Sequence, residues 1–255
     1  MFLKNYIPNV NKKFRNITFS GIAFESSKVK KNDIFFAING KNFNWNNYID
    51  DAIENGAKII ISEKKLFKKR SNLLFLFYPN VRKLLAEISY KILYKKPKKL
   101  VAVTGTNGKS SISDFYYQIL NLNSKKVASI GTIGLRYKNQ KIPLVNTTAD
   151  PIQLSSILHK LWKKKIEFVI MEASSHGLEQ NRLDGLTFDL GIFTNLSHDH
   201  LDYHKNMKKY FNSKLYLFEN LIKKKGNIIT DASIPQAKKI RNISIKKNIN
   251  LSLIF

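Results

Sequence analysis

The sequence predicts an α/β fold with a mainly parallel sheet flanked by helices, and three observations support this prediction. Strand-like apolar runs alternate with segments of helical periodicity along most of the 255 residues. A buried-strand pattern at Leu100 to Val103 passes through a glycine-containing turn directly into a helical pattern. A lysine-rich segment with one proline, 95–99, separates two ordered halves. We therefore expect two domains, at 1–96 and 97–255.

The N-terminal half predicts a small α/β domain. Short apolar runs predict strands at 17–19, 21–24, 33–38, 58–61 and 73–77. Helical spacing predicts helices at 46–56, which ends at a glycine, and at 81–94. The last two strand candidates are apolar throughout, which is typical of parallel strands buried on both faces.

The second half alternates strands and helices more regularly. Apolar runs predict strands at 100–103, 126–130, 166–171 and 188–193, and the closing segment 251–255 is typical of one more strand. A helix is predicted from Ser110, with apolar positions at Ile112, Phe115, Tyr116, Ile119 and Leu120. Two further helices are predicted, one after the cap pair Asp150-Pro151 and one over 206–223. This alternation favours a mainly parallel sheet.

Composition excludes several classes of protein. Hydrophobic residues make up 43% of the chain, which is enough for a sizeable core. The absence of cysteine excludes disulfides and thiolate metal sites and agrees with a reducing compartment. The N-terminus has no signal-peptide pattern, and no apolar run approaches the ~20 residues of a membrane span. We therefore expect a cytoplasmic protein with no membrane partner.

The net charge of +26, from 44 Lys and Arg against 18 Asp and Glu, has two interpretations. A polyanion partner such as nucleic acid would explain it, and so would a general lysine bias spread over solvated faces. The lysines occur in every segment and form no single basic arm, which favours the second interpretation and no nucleic-acid partner. In either case the field favours anionic small substrates.

Residues 104–111 have the layout of a phosphate-binding loop. A predicted strand ends in a turn with two glycines, and Lys109 and Ser110 then open a helix. The backbone N–H groups of such a turn and the positive end of its helix face an anion. Lys109 can reach terminal phosphates, and Ser110 can ligate magnesium. Val103 occupies the place where the usual P-loop pattern has its first glycine.

Polar side chains are concentrated at 171–182, directly after a predicted strand. The carboxyl ends of parallel strands are where open α/β sheets bind ligands. Glu172 at that edge can complete a magnesium shell begun by Ser110, although a solvated loop acid is the alternative. The segment is dense in polar groups for a plain turn: Ser174, His176, Gln180 and Arg182.

Three of the five histidines lie within 194–204, together with two aspartates. A zinc site is an alternative here, but the spacing of His198, His200 and His204 matches no common closed zinc pattern. Because a phosphate-binding loop is predicted nearby, contacts with magnesium and substrate are the favoured roles for these histidines and aspartates. A second polar loop, 146–151, precedes a helix N-terminus and offers donors for an anion, although such loops often serve only as caps.

Lys214 falls within the apolar stripe of its predicted helix. Helical spacing places it with Met207, Phe211 and Phe218, whereas three other lysines lie off that face, namely Lys205, Lys208 and Lys209. A side chain that extends to the rim is the alternative. Burial disfavours the ammonium form and lowers its pKa. A neutral amine can react with carbon dioxide to give a carbamate, which is an anionic metal ligand.

Taken together, these segments resemble one family, the ATP-dependent Mur ligases of peptidoglycan synthesis. Four blocks stand in the family's order, at 104–110, 146–148, 171–178 and 193–204. The last block and Lys214 to Phe218 are most similar to the subgroup that adds the third amino acid to UDP-N-acetylmuramoyl-L-alanyl-D-glutamate. The resemblance covers the whole chain, including the N-terminal segments 24–29 and 40–43.

The resemblance implies an N-terminal UDP-substrate domain and a central P-loop NTPase-like domain. It also implies an amide-bond ligase that uses ATP and Mg²⁺ and works through an acyl-phosphate. The implied ATP contacts are Gly105, Thr106, Asn107, Gly108, Lys109, Ser110 and Ser111. The implied metal ligands are Ser110, Glu172, His200 and a carbamylated Lys214, and the last three join Lys109 as catalytic residues.

The resemblance also assigns the substrates. The implied contacts with the UDP-muramoyl dipeptide are Phe24, Ser26, Lys41, Asn42, Phe43, Asn146, Thr147, Thr148, Ser174, Gln180 and Arg182. The second substrate would be a free amino acid, 2,6-diaminopimelate or L-lysine, and the sequence does not identify which. We expect the protein to act as a monomer.

The chain departs from the family pattern in several places. Glu25-Ser26-Ser27 stands where Asp-Ser-Arg is usual, His198 replaces an arginine, and the segment 229–232 has lost an Asn-x-Asp-Asp element. The family's C-terminal Rossmann-like domain is not found before Phe255, so we expect an incomplete ligase with poor turnover on its own. The alternatives are a folylpolyglutamate-synthase-like ligase and a non-catalytic basic P-loop protein that binds nucleotide or nucleic acid.

Overall fold

The structure is a computed structural model that describes residues 1–38, 45–64, 73–138 and 140–254. The chain divides into two compact units, Met1–Ile92 and Leu93–Phe255. Among the described residues, no helix has both the length and the apolar character that crossing a bilayer requires.

The first unit contains a four-stranded parallel sheet. Its strands occur in chain order as β1 (Ile22–Ala23), β2 (Ile34–Ala37), β3 (Ile59–Ser62) and β4 (Leu74–Phe77). Within the described part of this unit, two α-helices accompany the sheet, α1 (Trp45–Glu54) and α2 (Val81–Ile92). Residues of β2 and β3 pack against Ile49 and Ala52 of α1 in a buried apolar cluster. The small α/β architecture predicted for this half is confirmed.

The predicted strand at 17–19 does not form. Thr18 makes only an isolated antiparallel bridge to Phe2. A 3-10 turn at Leu3–Asn5 follows Phe2 directly, and another at Lys12–Phe14 precedes Thr18, so the pairing stays short.

The second unit is built on an eight-stranded sheet. Its strands are β5 (Lys99–Thr104), β6 (Val127–Gly131), β7 (Gly134–Tyr137), β8 (Gln140–Ile142), β9 (Phe168–Glu172), β10 (Phe188–Phe193), β11 (Ile222–Asp231) and β12 (Asn250–Ile254). Their order is β12-β11-β10-β5-β9-β6-β7-β8. All neighbours are parallel except for β6 with β7 and β7 with β8, which are antiparallel. The mainly parallel sheet predicted from the sequence is confirmed.

Six α-helices are described in this unit: α3 (Lys109–Leu122), α4 (Pro151–Lys163), α5 (Ser175–Glu179), α6 (Leu201–His204), α7 (Met207–Tyr216) and α8 (Ala237–Lys247). The predicted cap of α4 is confirmed, because the Asp150 side chain accepts a hydrogen bond from the Gln153 N–H. The predicted helix over 206–223 is confirmed over 207–221 and was two residues too long at its C-terminal end. A π-turn at Leu217–Leu221 follows α7, and Ile222 pairs with Phe188 as the chain enters the sheet.

The apolar positions predicted for α3 are only partly used. Ile112 and Tyr116 pack on the sheet cluster of Val101, Val103 and Ile170. Phe115 and Ile119 remain 61% and 59% exposed, because they lie away from the sheet. Helical spacing identified the helix but overestimated the width of its buried face.

Strand order brings three loops to one edge of the sheet. The three central strands, β10, β5 and β9, are parallel neighbours. Phe193 lies beside Thr104, and Val103 lies beside Glu172. The segments that follow these strand ends are the ones that the sequence analysis selected, so the fold assembles them into one site.

Candidate active site

The loop between β5 and α3, residues 105–108, has the geometry of a phosphate cradle. Gly105 has φ of +148°, and a Cβ atom there would lie 1.9 Å from Thr194 Oγ1, so this position requires glycine. Gly108 has φ of +82° and caps the N-terminus of α3. The predicted order of strand, glycine turn and helix is therefore confirmed, and the positive end of α3 opens toward the loop.

Two lysine side chains converge on the cradle. Lys109 Nζ donates hydrogen bonds to the carbonyl oxygens of Gly105, at 3.0 Å, and Thr106, at 2.7 Å. Lys214 Nζ donates to the same Gly105 oxygen at 2.7 Å. Burial lowers the pKa of Lys109 despite the opposing fields of Glu172 and Asp199. The loop therefore concentrates positive charge where an anion would bind.

Lys214 is buried, as its place in the apolar stripe predicted. The residue is 1% exposed, whereas the nearby Lys205, Lys208 and Lys209 are exposed. Its ammonium lies 4.3 Å from the centre of the Tyr210 ring. Burial first, and then repulsion from Lys109, lowers the pKa of Lys214 from 10.5 to about 7. A large fraction of this amine is therefore neutral near neutral pH.

Glu172 ends β9 beside the cradle and is 2% exposed. Its Oε2 accepts hydrogen bonds from Ser110 Oγ and Thr132 Oγ1, both at 3.1 Å. Its Oε1 accepts from the backbone N–H of Thr132 at 3.0 Å. The structure thus joins Glu172 and Ser110, and it adds Thr132, which sequence reasoning missed. Thr132 follows the C-terminus of β6, and that position in a parallel sheet was the available signal.

The polar loop before α4 contacts the loop after β9. Thr148 Oγ1 donates to the Glu172 carbonyl at 2.8 Å and accepts from the Ser174 N–H at 3.0 Å. Ser174 in turn caps α5 by accepting from the Gly177 N–H. Thr147 lies 3.1 Å from Thr132 through their hydroxyl groups. Of the predicted substrate residues in this loop, Asn146 is exposed.

Gln180 and Arg182 continue this polar surface. Both the Nε and the Nη2 groups of Arg182 donate to Gln180 Oε1, at 3.1 and 2.8 Å. The amide nitrogen of Gln180 donates to the Tyr203 hydroxyl at 3.2 Å. These contacts fix the guanidinium near the Thr148 carbonyl, to which its Nη1 also donates.

The loop after β10 supports the cradle from the other side. Thr194 Oγ1 donates to the Asn107 carbonyl at 2.6 Å, and the Asn107 N–H donates to Asn195 Oδ1 at 3.0 Å. The Ser197 N–H donates to Thr106 Oγ1 at 3.0 Å. Asn107 and Thr106 are thus held in place by residues that sequence reasoning grouped only as part of a polar block.

His200 is the N-cap residue of α6 and has φ of +53°. Its Nε2 lies 3.4 Å from Asp199 Oδ2, and its ring centre lies 5.0 Å from that of His176. Within the ranges that the structure describes, no three His, Asp or Glu side chains form a metal-binding group.

An aromatic and histidine cluster joins this loop to α5 and α7, and sequence reasoning selected its histidines but not Tyr203 or Tyr210 as partners. The centre of the His176 ring is 4.0 Å from that of Tyr203 and 5.4 Å from that of His204. Burial, with His200 and His204 nearby, lowers the pKa of His176. Tyr210 connects the cluster to the cradle, because its hydroxyl lies 3.2 Å from Thr106 Oγ1.

The remaining predicted substrate residues belong to the first unit. Phe24 and Ser26 are half-buried at the end of β1, and the Ser26 carbonyl accepts a hydrogen bond from Asn55 Nδ2 at 3.1 Å. The other three, Lys41, Asn42 and Phe43, lie outside the described residues.

Comparisons with known proteins identify the family of this chain. A family model described as "Mur ligase middle domain" matches residues 103–254, and one described as "Mur ligase family, catalytic domain" matches 18–90. A curated relative from Fusobacterium nucleatum subsp. nucleatum is named UDP-N-acetylmuramoyl-L-alanyl-D-glutamate--2,6-diaminopimelate ligase. It is 41% identical over 203 residues, which cover 80% of this chain and 42% of the relative.

Solved structures give the same result. A ligase structure of the same name matches with a TM-score of 0.86 and 28% identity, covering 99% of this chain and 52% of that one. The structure of MurF ligase from Thermotoga maritima in complex with ADP shares the fold, with a TM-score of 0.59 and 21% identity over 91% of this chain and 49% of that one. The chain thus spans about half the length of these proteins. With a family model over most of its second unit and the cradle, Glu172 and Lys214 assembled at one edge of the sheet, the chain belongs to the Mur ligase family.

Proposed function

We propose that this chain supplies the ATP site and the UDP-substrate residues of a ligase that adds 2,6-diaminopimelate to UDP-N-acetylmuramoyl-L-alanyl-D-glutamate. The observation that carries the proposal is the meeting of Lys214, Lys109 and the Gly105 carbonyl beside Glu172. The name of the Fusobacterium relative supports diaminopimelate as the amino acid. We place the reaction in the cytoplasm, because two of its three proposed substrates, ATP and the UDP-linked peptide, are nucleotides.

In this proposal residues 105–111 hold the ATP phosphates. Backbone N–H groups of the loop and of the first turn of α3 would face the phosphate oxygens. Lys109 now donates to two loop carbonyls, and these are the bonds it would exchange for phosphate contacts. Its half-buried ammonium is a strong partner for phosphate because less water competes for it than at an exposed site.

The residues around Glu172 fit a magnesium ion. Magnesium prefers oxygen ligands and is commonly held by one or two carboxylates together with nucleotide phosphates. Glu172 supplies the carboxylate, and the Ser110 hydroxyl lies 3.1 Å from it. His200 remains our candidate for a second metal position. Bound magnesium would neutralise charge on the transferred phosphoryl group.

Lys214 fits the role of a carbamate. Its neutral amine would attack the carbon of CO₂, a new N–C bond would form, and the displaced proton would pass to solvent. A pKa of about 7 makes this amine available where an exposed lysine would be protonated. The product converts a buried cation into an anion, which would relieve its repulsion from Lys109.

The proposed reaction has two steps. A carboxylate oxygen of the dipeptide attacks the γ-phosphorus of ATP, and ADP leaves. The amine of the incoming amino acid then attacks the acyl carbon, inorganic phosphate leaves, and the amine loses a proton. Asn146, Thr147, Thr148, Ser174, Gln180 and Arg182 would hold the muramoyl peptide, and Phe24, Ser26 and residues 41–43 its uridine-diphosphate end.

The relatives are about twice as long as this chain, so we test the proposal by ligand binding rather than by turnover. We expect calorimetry to detect Mg-ATP and the UDP-muramoyl dipeptide, with the first lost in Lys109→Ala. A ¹³C signal for a carbamate should appear in ¹³C-bicarbonate and disappear in Lys214→Ala. If the protein binds nucleic acid more tightly than the UDP-peptide, with a steep dependence on salt, the proposal is wrong. Binding of folate instead of the UDP-peptide would also contradict it.

A further inference from the structure

Three lysine runs in the second unit each stand directly before a strand. One run, 95–99, leads into β5, a second, 125–126, leads into β6, and a third, 163–165, is followed closely by β9. Because β9 lies between β5 and β6 and all three are parallel, their starts are adjacent. The fold therefore gathers lysines from three separate segments at the edge of the sheet opposite to the cradle.

These segments line a cleft of about 620 Å³. We call it the lysine cleft and define it by Lys96, Lys98, Lys126, Trp162, Lys163 and Lys165. Glu167 is the acidic residue in its lining. The cleft volume lies within the range of small-molecule sites.

Helix electrostatics explain only part of this charge. Lys163 lies in the last turn of α4, where a cation complements the helix dipole. Lys96, Lys98 and Lys126 come from two other segments and have no such role. Five lysines and one glutamate line the cleft, so like charges repel one another there, and a bound polyvalent anion would reduce that repulsion.

The cleft also contains a tryptophan whose fluorescence can report binding. Trp162 is 37% exposed, and the ammonium of Lys95 lies 4.5 Å from the centre of its ring. The chain has two tryptophans, and the other is Trp45 in α1. Binding at the cleft should therefore change the emission of Trp162 specifically.

We propose that the lysine cleft binds a small polyvalent phosphate anion, at a site separate from the ATP cradle. Lysine ammonium groups are compact point charges that recognise phosphate without demanding one geometry. Free polyphosphate and the phosphate chain of a nucleotide share this chemistry. Because the site lies at the opposite edge of the sheet, it is independent of the ligase chemistry proposed for the cradle.

The test uses a Trp45→Phe, Lys109→Ala background, which leaves Trp162 as the reporter and removes the cradle lysine. We expect inorganic tripolyphosphate to give a saturable change in emission. Replacing Lys98, Lys126 and Lys165 by Ala should weaken it at least tenfold. The matched control replaces the exposed Lys12, Lys30 and Lys31 by Ala, removes the same charge, and should change affinity less than twofold.

Three further results decide the outcome. An equal loss in both triple variants would overturn the proposal, because net charge alone would then explain binding. Tighter binding of a ten-nucleotide oligothymidylate, or of vesicles containing anionic phosphatidylglycerol, would also overturn it in favour of a macromolecular partner. A parallel titration with ATP distinguishes free polyphosphate from a nucleotide as the ligand. Equal affinity for ATP and tripolyphosphate indicates that the phosphate chain alone is recognised, and higher affinity for ATP indicates a nucleotide.

Discussion

The ammonium group of Lys214 donates a 2.7 Å hydrogen bond to the carbonyl oxygen of Gly105, which lies 109 residues earlier in the chain. Lys109 donates to the same oxygen from the other side of the cradle. A single backbone acceptor thus holds the buried Lys214 and the half-buried Lys109 together, and loss of solvation lowers the pKa of each. This arrangement connects α7 to the phosphate cradle. It also makes the charge of the site depend on pH, because the pKa values of both lysines are lowered.

Replacing Lys214 with Met should stabilise the protein at pH 6, and the gain should shrink as pH rises. Lys214 has a pKa of about 7 in the folded chain against 10.5 for the unfolded one. Between these values the unfolded chain binds the extra proton, so wild-type stability rises with pH. The advantage of Lys214→Met should fall by up to about 1.4 kcal/mol per pH unit within this window.

Urea unfolding at pH 6, 7.5 and 9 measures this difference. Lys208→Met is the matched control, because Lys208 is an exposed lysine of the same helix and should give a nearly constant difference. A constant difference for Lys214→Met as well would mean that Lys214 keeps an ordinary pKa and that its role as a carbamate precursor is wrong.

Replacing Gly105 with Ala should destabilise the second unit by more than about 2 kcal/mol. The added Cβ would lie 1.9 Å from Thr194 Oγ1, and φ of +148° is strained for a residue with a side chain. Thr194→Ala removes that oxygen, so the double variant Gly105→Ala, Thr194→Ala should lose less stability than the sum of the two single losses. Urea unfolding of the four proteins gives the coupling energy, and strictly additive losses would mean that the two side chains do not clash.

Sequence reasoning succeeded where one periodicity or one chain segment carried the signal. The burial of Lys214 followed from helical spacing alone, and the strand, glycine turn and helix around the cradle followed from local pattern. Parallel strand order then brought Glu172 beside Ser110, because strand ends meet at one edge. The mainly parallel sheet could be predicted for the same reason.

The rest depended on contacts between distant segments. Tyr210 acquires its role only through its partner Thr106, and nothing in its own neighbourhood indicates this. Thr132 has one local signal, its place after the end of β6, but its bond to Glu172 comes from a distant segment. Phe115 fits the helical period of α3 but points away from the sheet, because periodicity does not give the width of the surface that a helix meets. The π-turn after α7 likewise has no distinct sequence signal.

Replacing Glu172 with Gln should abolish magnesium-dependent nucleotide binding while leaving the fold intact. The amide keeps the shape of the side chain but loses the charge that a hard cation requires. Titration of a fluorescent ATP analogue with and without Mg²⁺ measures the effect, for which we expect at least a tenfold loss. Glu219→Gln removes a carboxylate from the π-turn and serves as the control, and an equal loss there would refute a specific role for Glu172.

Replacing Thr132 with Val should weaken magnesium binding through Glu172 rather than through any direct contact. Valine keeps the branched shape and the backbone N–H but loses the hydroxyl that donates to Glu172 Oε2. That carboxylate would then be held by fewer donors, and we expect the magnesium midpoint for nucleotide binding to rise about tenfold. Thr132→Ser retains the hydroxyl and should behave like wild type. If Val and Ser weaken binding equally, then packing rather than the hydrogen bond positions Glu172, whereas no change in either would mean that Ser110 and the Thr132 N–H suffice.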